Sequence, residues 1–191
     1  MKPRVMNEMT LRWPQVFRRF ARDRRGVSAV EFAVLAPVMI GLYLGCVEIS
    51  DGVSASRKVS LTAATLANLA TQVTTISTSD MTNILNASSA IIAPYSATNL
   101  KSTLSCLKVD STGRVTVAWS ATLNGTARAT GSAITIPSAL AVPSSQLLFS
   151  EVIYAYTPTV GYTITGMINL SDHMYMIPRI TPPTYGTTTC S

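Results

Sequence analysis

His173 is the single histidine of the chain and Asp172 precedes it, so an imidazole and a carboxylate that could share a proton are neighbours in sequence. Residues 170–177 read as a strand, however, and successive side chains of a strand point to opposite faces. The two groups are thereby aimed apart. No Gly-x-Ser-x-Gly elbow supplies a nucleophile, and Cys106, which could be paired with His173, loses its thiol if it enters a disulfide. One histidine and no Cys-x-x-Cys leave no tetrahedral metal set, and neither a Gly-rich phosphate loop nor a basic-aromatic platform for nucleic acid is present. The residue types therefore predict no enzyme, no catalytic residue, no metal, no cofactor and no nucleic-acid partner.

A different chemistry is written into Arg22–Gly45, "RDRRGVSAVEFAVLAPVMIGLYLG". Glu31 sits just inside an apolar run, where a carboxylate at the centre of a membrane helix costs about 2.5–3.5 kcal/mol on insertion scales. Phe32 to Val47 then carry no charge for sixteen residues. Taken from Val27 to Ile49 the run spans roughly 34 Å as a helix, enough for a hydrocarbon core of about 30 Å. Pro37 removes a backbone donor and predicts a kink or a loosened turn near Ala33.

The charge distribution orients this helix. Residues 1–25 hold eight Lys or Arg against Glu8 and Asp23, a surplus of six that equals the +6 of the whole chain. The remaining residues balance at seven basic and seven acidic. A nucleic-acid groove would spread its basic residues over a folded face, whereas a basic flank before an apolar run holds that end in the cytoplasm. No second apolar run of that length follows, so one span with the C-terminal domain on the far side is expected. The same run could serve as a secretory signal, but its basic region is long and no small-x-small pair closes it cleanly. Leu44-Gly45-Cys46 has the Gly-Cys ending of a lipoprotein signal, with Tyr43 where such signals favour Leu.

Gly26 ending a basic flank, Val27 opening an apolar run, and Glu31 as its fifth residue followed by Phe32 resemble the processing site of type IV pilins. Within that superfamily, "RRGVSAVEFAVLAPVMIGLYLGCVE" with an exit at Glu48 is similar to the TadE-like minor pseudopilins of the tight-adherence (Flp) pilus. "LLFSEVIYAYTPTVG" and "MYMIPR" further on also look like that family's late strands. The resemblance implies that a membrane-embedded prepilin peptidase cuts after Gly26, making Val27 the new N-terminus. Glycine suits a narrow protease cleft and interrupts a helix at the scissile bond. Glu31 and Phe32 would then serve assembly, the carboxylate neutralising the Val27 ammonium of its own or a neighbouring subunit in the dry core of a filament. Against this stands a plain interfacial carboxylate that snorkels to the headgroups. The implied partners are the prepilin peptidase, other pilus subunits with their assembly machinery, and lipids of the bacterial inner membrane, with the N-terminus cytoplasmic and the domain periplasmic. The other function class consistent with the sequence is a single-pass anchored binding or adhesin domain outside any pilus.

The elements after the span follow from periodicity. Val59, Ala63, Leu66, Ala70, Val73 and Ile76 recur at spacings of three and four, so the helix should continue as an amphipathic one to about Ile76. Ser77–Asp80 offers caps for a second helix that carries Met81, Ile84, Leu85, Ser88 and Ile92 on one face and ends at Pro94. The period then changes to two. Val115, Val117 and Trp119 alternate with polar residues, as do Leu148, Val152, Tyr154 and Tyr156, and 100–109 and 170–177 read as strands as well. Asn124–Ser145 reads as a loop. The expected fold class is α+β and pilin-like: a long N-terminal helix and a second short helix packed on a small antiparallel sheet. The expected divisions are a cleaved leader over 1–26, a transmembrane helix over 27–49 and an exterior domain over 50–191. In an oxidising exterior, Cys106 and Cys190 should form a disulfide, a pairing that follows from compartment and not from spacing.

Overall fold

The computed structural model describes residues 25–159 and 166–190. Most of the basic leader, residues 1–24, lies outside the described residues, as does the segment 160–165. Helix α1 runs over Arg25–Thr71 without interruption through Pro37. The chain divides into two compact units between Val47 and Glu48, so α1 contributes to both.

Helix α1 stops five residues short of the expected Ile76. Val73, Thr74, Thr75 and Ile76 form a β-branched run, which loses side-chain freedom in a helix and favours a strand. Thr75–Ile76 accordingly form a short strand, β1, and Ile76 is fully buried there instead of on the helix stripe. Ser77 then caps helix α2, Thr78–Ile92: its Oγ accepts from the Asp80 N–H at 3.1 Å, and its own N–H donates to Asp80 Oδ2 at 3.1 Å. This reciprocal box satisfies two of the donors that a helix start leaves open. It also holds the Asp80 carboxyl below its usual range, through the Ser77 hydroxyl first and the Ser77 backbone second.

Four long strands follow: β2 (Leu100–Val109), β3 (Val115–Leu123), β4 (Gln146–Tyr156) and β5 (Ile168–Met176). They form one antiparallel sheet in the order β3-β2-β4-β5, and a short β6 (Thr184–Tyr185) pairs parallel with β1. The fold of the second unit is therefore α+β, a long helix and a short helix with a four-stranded antiparallel sheet. On one face of the sheet Ala55, Val59, Ala63 and Leu66 of α1 pack with Ile92, Leu100, Val152, Tyr154 and Tyr156. The end of α1, α2 and the middle of the sheet close a second cluster around Ile76, Met81, Leu85, Leu104 and Trp119.

Strand β3 departs from simple alternation. Cys106 pairs with Trp119 but Leu107 pairs with Val117, which leaves Ala118 as an extra residue in β3. Such a bulge turns the residues on either side of it to different faces. Trp119 and Ala121 thus join the helix-side core, while Val115 and Val117 face the opposite side with Leu107, Leu147 and Phe149. The stretch 124–145 covers that second face. It is irregular apart from a short 3-10 turn, yet it bridges β3 at Thr116 and Ala133 and buries Ile136.

Two interactions tie distant segments together. Cys106 and Cys190, both fully buried, are joined in a disulfide with Cα atoms 5.9 Å apart, which anchors the tail to a central strand. Tyr95 donates its hydroxyl to the Asp51 carbonyl at 3.0 Å and to its carboxylate at 3.2 Å. Its ring lies 6.1 Å from Tyr154 and 6.2 Å from Tyr156.

These ties have measurable consequences. The disulfide closes a loop across 84 residues, a constraint worth about 2–4 kcal/mol in the chain-entropy account. Removing both cysteines should lower the melting temperature of the detergent-solubilised protein by roughly 4–16 °C. Hydrogen exchange should rise first at Thr184–Tyr185, and an unchanged melting curve would show that the bond constrains nothing. Burial, and then the Asp51 carboxylate, push the Tyr95 phenol up to about 12. Because the folded value lies above the unfolded one, this contribution to stability is intact below about pH 10 and is lost as pH climbs towards 12. An ultraviolet titration of phenolate should therefore find one fewer phenol ionising above pH 11 in Tyr95→Phe than in the parent.

Candidate functional site

Gly26, Val27, Glu31 and Phe32 all lie in α1 and are exposed to the surroundings. Val27 and Glu31 are four residues apart on a helix, hence on one face and about 6 Å apart along the axis. Gly26 does not break the described helix as expected, because glycine is tolerated there at a cost of about 0.5–1 kcal/mol relative to alanine. A Cβ added at Gly26 would meet nothing within 4 Å. Among the described residues no packing requires the glycine.

The surface around these residues is apolar and uncovered. Phe32 is 73% exposed and Tyr43 69%, and Val34, Leu35, Met39, Ile40 and Leu42 are exposed too. The most apolar window of α1 has a mean hydropathy of 2.0 and none of it is buried in the protein. A core helix of a water-soluble domain would bury such a window. Among the described residues α1 is the one helix long and apolar enough to cross a membrane, and Glu31 is the one acidic residue between Arg25 and Val47.

The residues that could have carried catalysis are brought into other roles. Asp172 turns towards α1, where the Ser60 hydroxyl first, and the His173 backbone N–H at 2.8 Å after it, hold its carboxyl below the usual range. The His173 ring lies instead against Phe149, 6.0 Å away, and Tyr175, 5.4 Å away. Cys106 is committed to Cys190. Among the described residues no group of three or more His, Cys, Asp or Glu could hold a metal ion.

Sequence reasoning passed over one polar pair. Arg128, from the irregular stretch, donates Nε to Glu151 Oε2 at 2.9 Å and Nη2 to both carboxylate oxygens at 2.6 Å. Its guanidinium also stands 5.7 Å from the centre of the Phe149 ring. Only the pairing of β4 with a loop over twenty residues away brings these groups together, so no local pattern announces them. With about a third of each side chain exposed, the pair contributes about 0.2–1 kcal/mol. It holds the covering loop to the sheet.

Residues 26–68 match the family model described as TadE-like protein. No curated protein and no solved structure matches the chain. The matched residues include Gly26, Val27, Glu31 and Phe32, the whole uncovered apolar window and the first turns that pack on the sheet. Over most of its N-terminal helix, therefore, the chain is similar to the TadE-like family.

Proposed function

We propose that the chain is a minor pseudopilin of the tight-adherence pilus, a structural subunit whose role is assembly of that pilus and hence surface adhesion and biofilm formation. In this role residues 1–26 are a cytoplasmic leader, 27–49 cross the bacterial inner membrane once, and 50–191 lie in the periplasm until assembly. The observation that carries the proposal is the coincidence, inside the TadE-like match, of Gly26 with no packing role and Glu31 alone in an uncovered apolar helix. A helix that serves only as a tether needs neither residue.

The chemistry of the role follows from the two positions. A prepilin peptidase hydrolyses the Gly26–Val27 bond, and the new α-ammonium of Val27 would be a buried cation if it stayed unpaired among packed apolar helices. Glu31, one turn on, supplies the counter-charge. A pairing of this kind between neighbouring subunits admits only the axial offsets that bring the two charges together, so it selects register as well as stability. The other partners are pilus subunits with similar apolar helices, the assembly machinery, and the lipids that cover the helix beforehand.

Mass spectrometry of the membrane-extracted protein should give an N-terminus at Val27, and Gly26→Val should leave the precursor uncut. Met1 retained in cells with a complete pilus system would overturn the processing step. Glu31→Val should insert as well as the parent or better, since a charge leaves hydrocarbon. Assembly should nevertheless fall, because removing one partner of a buried pair costs about 3–5 kcal/mol. Glu31→Gln keeps the size and makes the same prediction: fewer pili at equal membrane abundance by electron microscopy. Wild-type piliation in both variants would reduce Glu31 to an interfacial anchor and favour the tethered binding domain.

A further inference from the structure

One end of the α+β unit carries an apolar patch that its own core leaves uncovered. Strand β4 runs antiparallel to α1, since Ser150 donates its hydroxyl to the Ala63 carbonyl at 2.6 Å while Tyr156 lies against Gly52, where an added Cβ would come within 3.7 Å of its ring. Strand β5 lies beside β4 with Tyr156 opposite Ile168, and Asp172 of β5 receives a hydrogen bond from Ser60. Four residues back along β5 from Asp172 is Ile168, and seven residues back along α1 from Ser60, on the same helical face, is Val53. Both steps lead to the same end, the end at which α1 leaves its uncharged run. Ile49, one turn before Val53, is 70% exposed, Val53 46%, Met167 62% and Ile168 41%. Residues 152–171 contain no charged side chain.

We propose that Ile49, Val53, Met167 and Ile168 form an apolar collar that enters the headgroup layer of the bilayer crossed by α1, so that β5 as well as the helix is seated on the membrane. The occupant follows from continuity with the span. Ile49 is the last residue of the apolar run and Gly52 lies about 4.5 Å further along the axis. Ile168 is one strand spacing of about 5 Å from Tyr156, which touches Gly52. The interfacial layer beyond the hydrocarbon is about 5–7 Å deep on each side, comparable with these two steps. The strand side of the patch contributes no charge and the helix side adds the Glu48 and Asp51 carboxylates beside Tyr156, a mixture that suits the interfacial layer, where apolar side chains bury, polar groups stay wet and tyrosines are favoured. The inference depends on the membrane span and not on pilus assembly.

The test uses the full chain in nanodiscs, in a Cys46→Ala background with the disulfide left oxidised. Ile168→Cys and Val142→Cys are each labelled with a polarity-sensitive fluorophore. Val142 precedes the opposite end of β4, an eleven-residue strand about 35 Å long. At Ile168 the emission should be blue-shifted and quenched by shallow spin-labelled lipid, with several-fold less quenching by iodide than at Val142. Met167→Cys should repeat the result if Ile168→Cys folds poorly. Equal iodide quenching at both positions, with carbonate extraction proving that the helix is inserted, would overturn the proposal. So would protection that appears only as the number of copies per disc rises, because a second copy would then be the occupant.

Discussion

Ala55, Ala63 and Leu66 lose all contact with water against the sheet, while Phe32, Leu35, Met39 and Tyr43 of the same helix stay largely exposed. Apolar side chains of either group gain about 25 cal/mol for each Å² withdrawn from water. For the first group the chain itself supplies the cover. For the second the described residues leave the window uncovered, as in a candidate membrane span. Every other feature of the protein answers to this division of α1: the sheet completes the core of the first group, and the isolation of Glu31 gains its meaning from the second.

The sheet is fitted to the helix by local devices. Leu148, Val152 and Tyr154 on β4 present one face to α1 without interruption, but β3 could not do so over its whole length. The extra residue at Ala118 lets Trp119 reach the helix-side core, where its indole N–H donates to the Pro183 carbonyl at 3.1 Å, and sends Val115 and Val117 to the other face. That face then needs a cover of its own, which 124–145 supplies with Ile134, Ile136 and Leu140. The Arg128–Glu151 pair and the backbone bonds of Ser132 and Gly131 with Val117 hold the cover in place and blunt the edge of β3. The disulfide and β6 do the same for the tail, fastening it to β2 and β1.

Residues that weaken a fold without improving its packing point to an interaction outside it. Gly26 has open space where a side chain would be, and Glu31 sets a charge on a surface that is otherwise apolar. Both lie in the segment that matches the TadE-like family model, and the sheet lies outside that match.

Much of this was legible in the sequence because it is local. An uncharged run of sixteen residues, a basic flank, Ser77 and Asp80 at capping-box spacing, and runs with a period of two each reflect the physics of a short segment, and the span, α2 and the four long strands follow. The end of α1 was misplaced because Val73 and Ile76 fit the helical stripe by spacing, while their β-branched neighbours favour extension and Ile76 finds deeper burial in β1. Val115, Val117 and Trp119 alternate as one face in sequence, yet the offset between β2 and β3 divides them. The contact of Asp51 with Tyr95 and the ion pair of Arg128 with Glu151 were decided only by tertiary structure. Each joins segments far apart in the chain, and such contacts are fixed by how a whole sheet and a helix bury apolar area together, a quantity that no short stretch of residues contains.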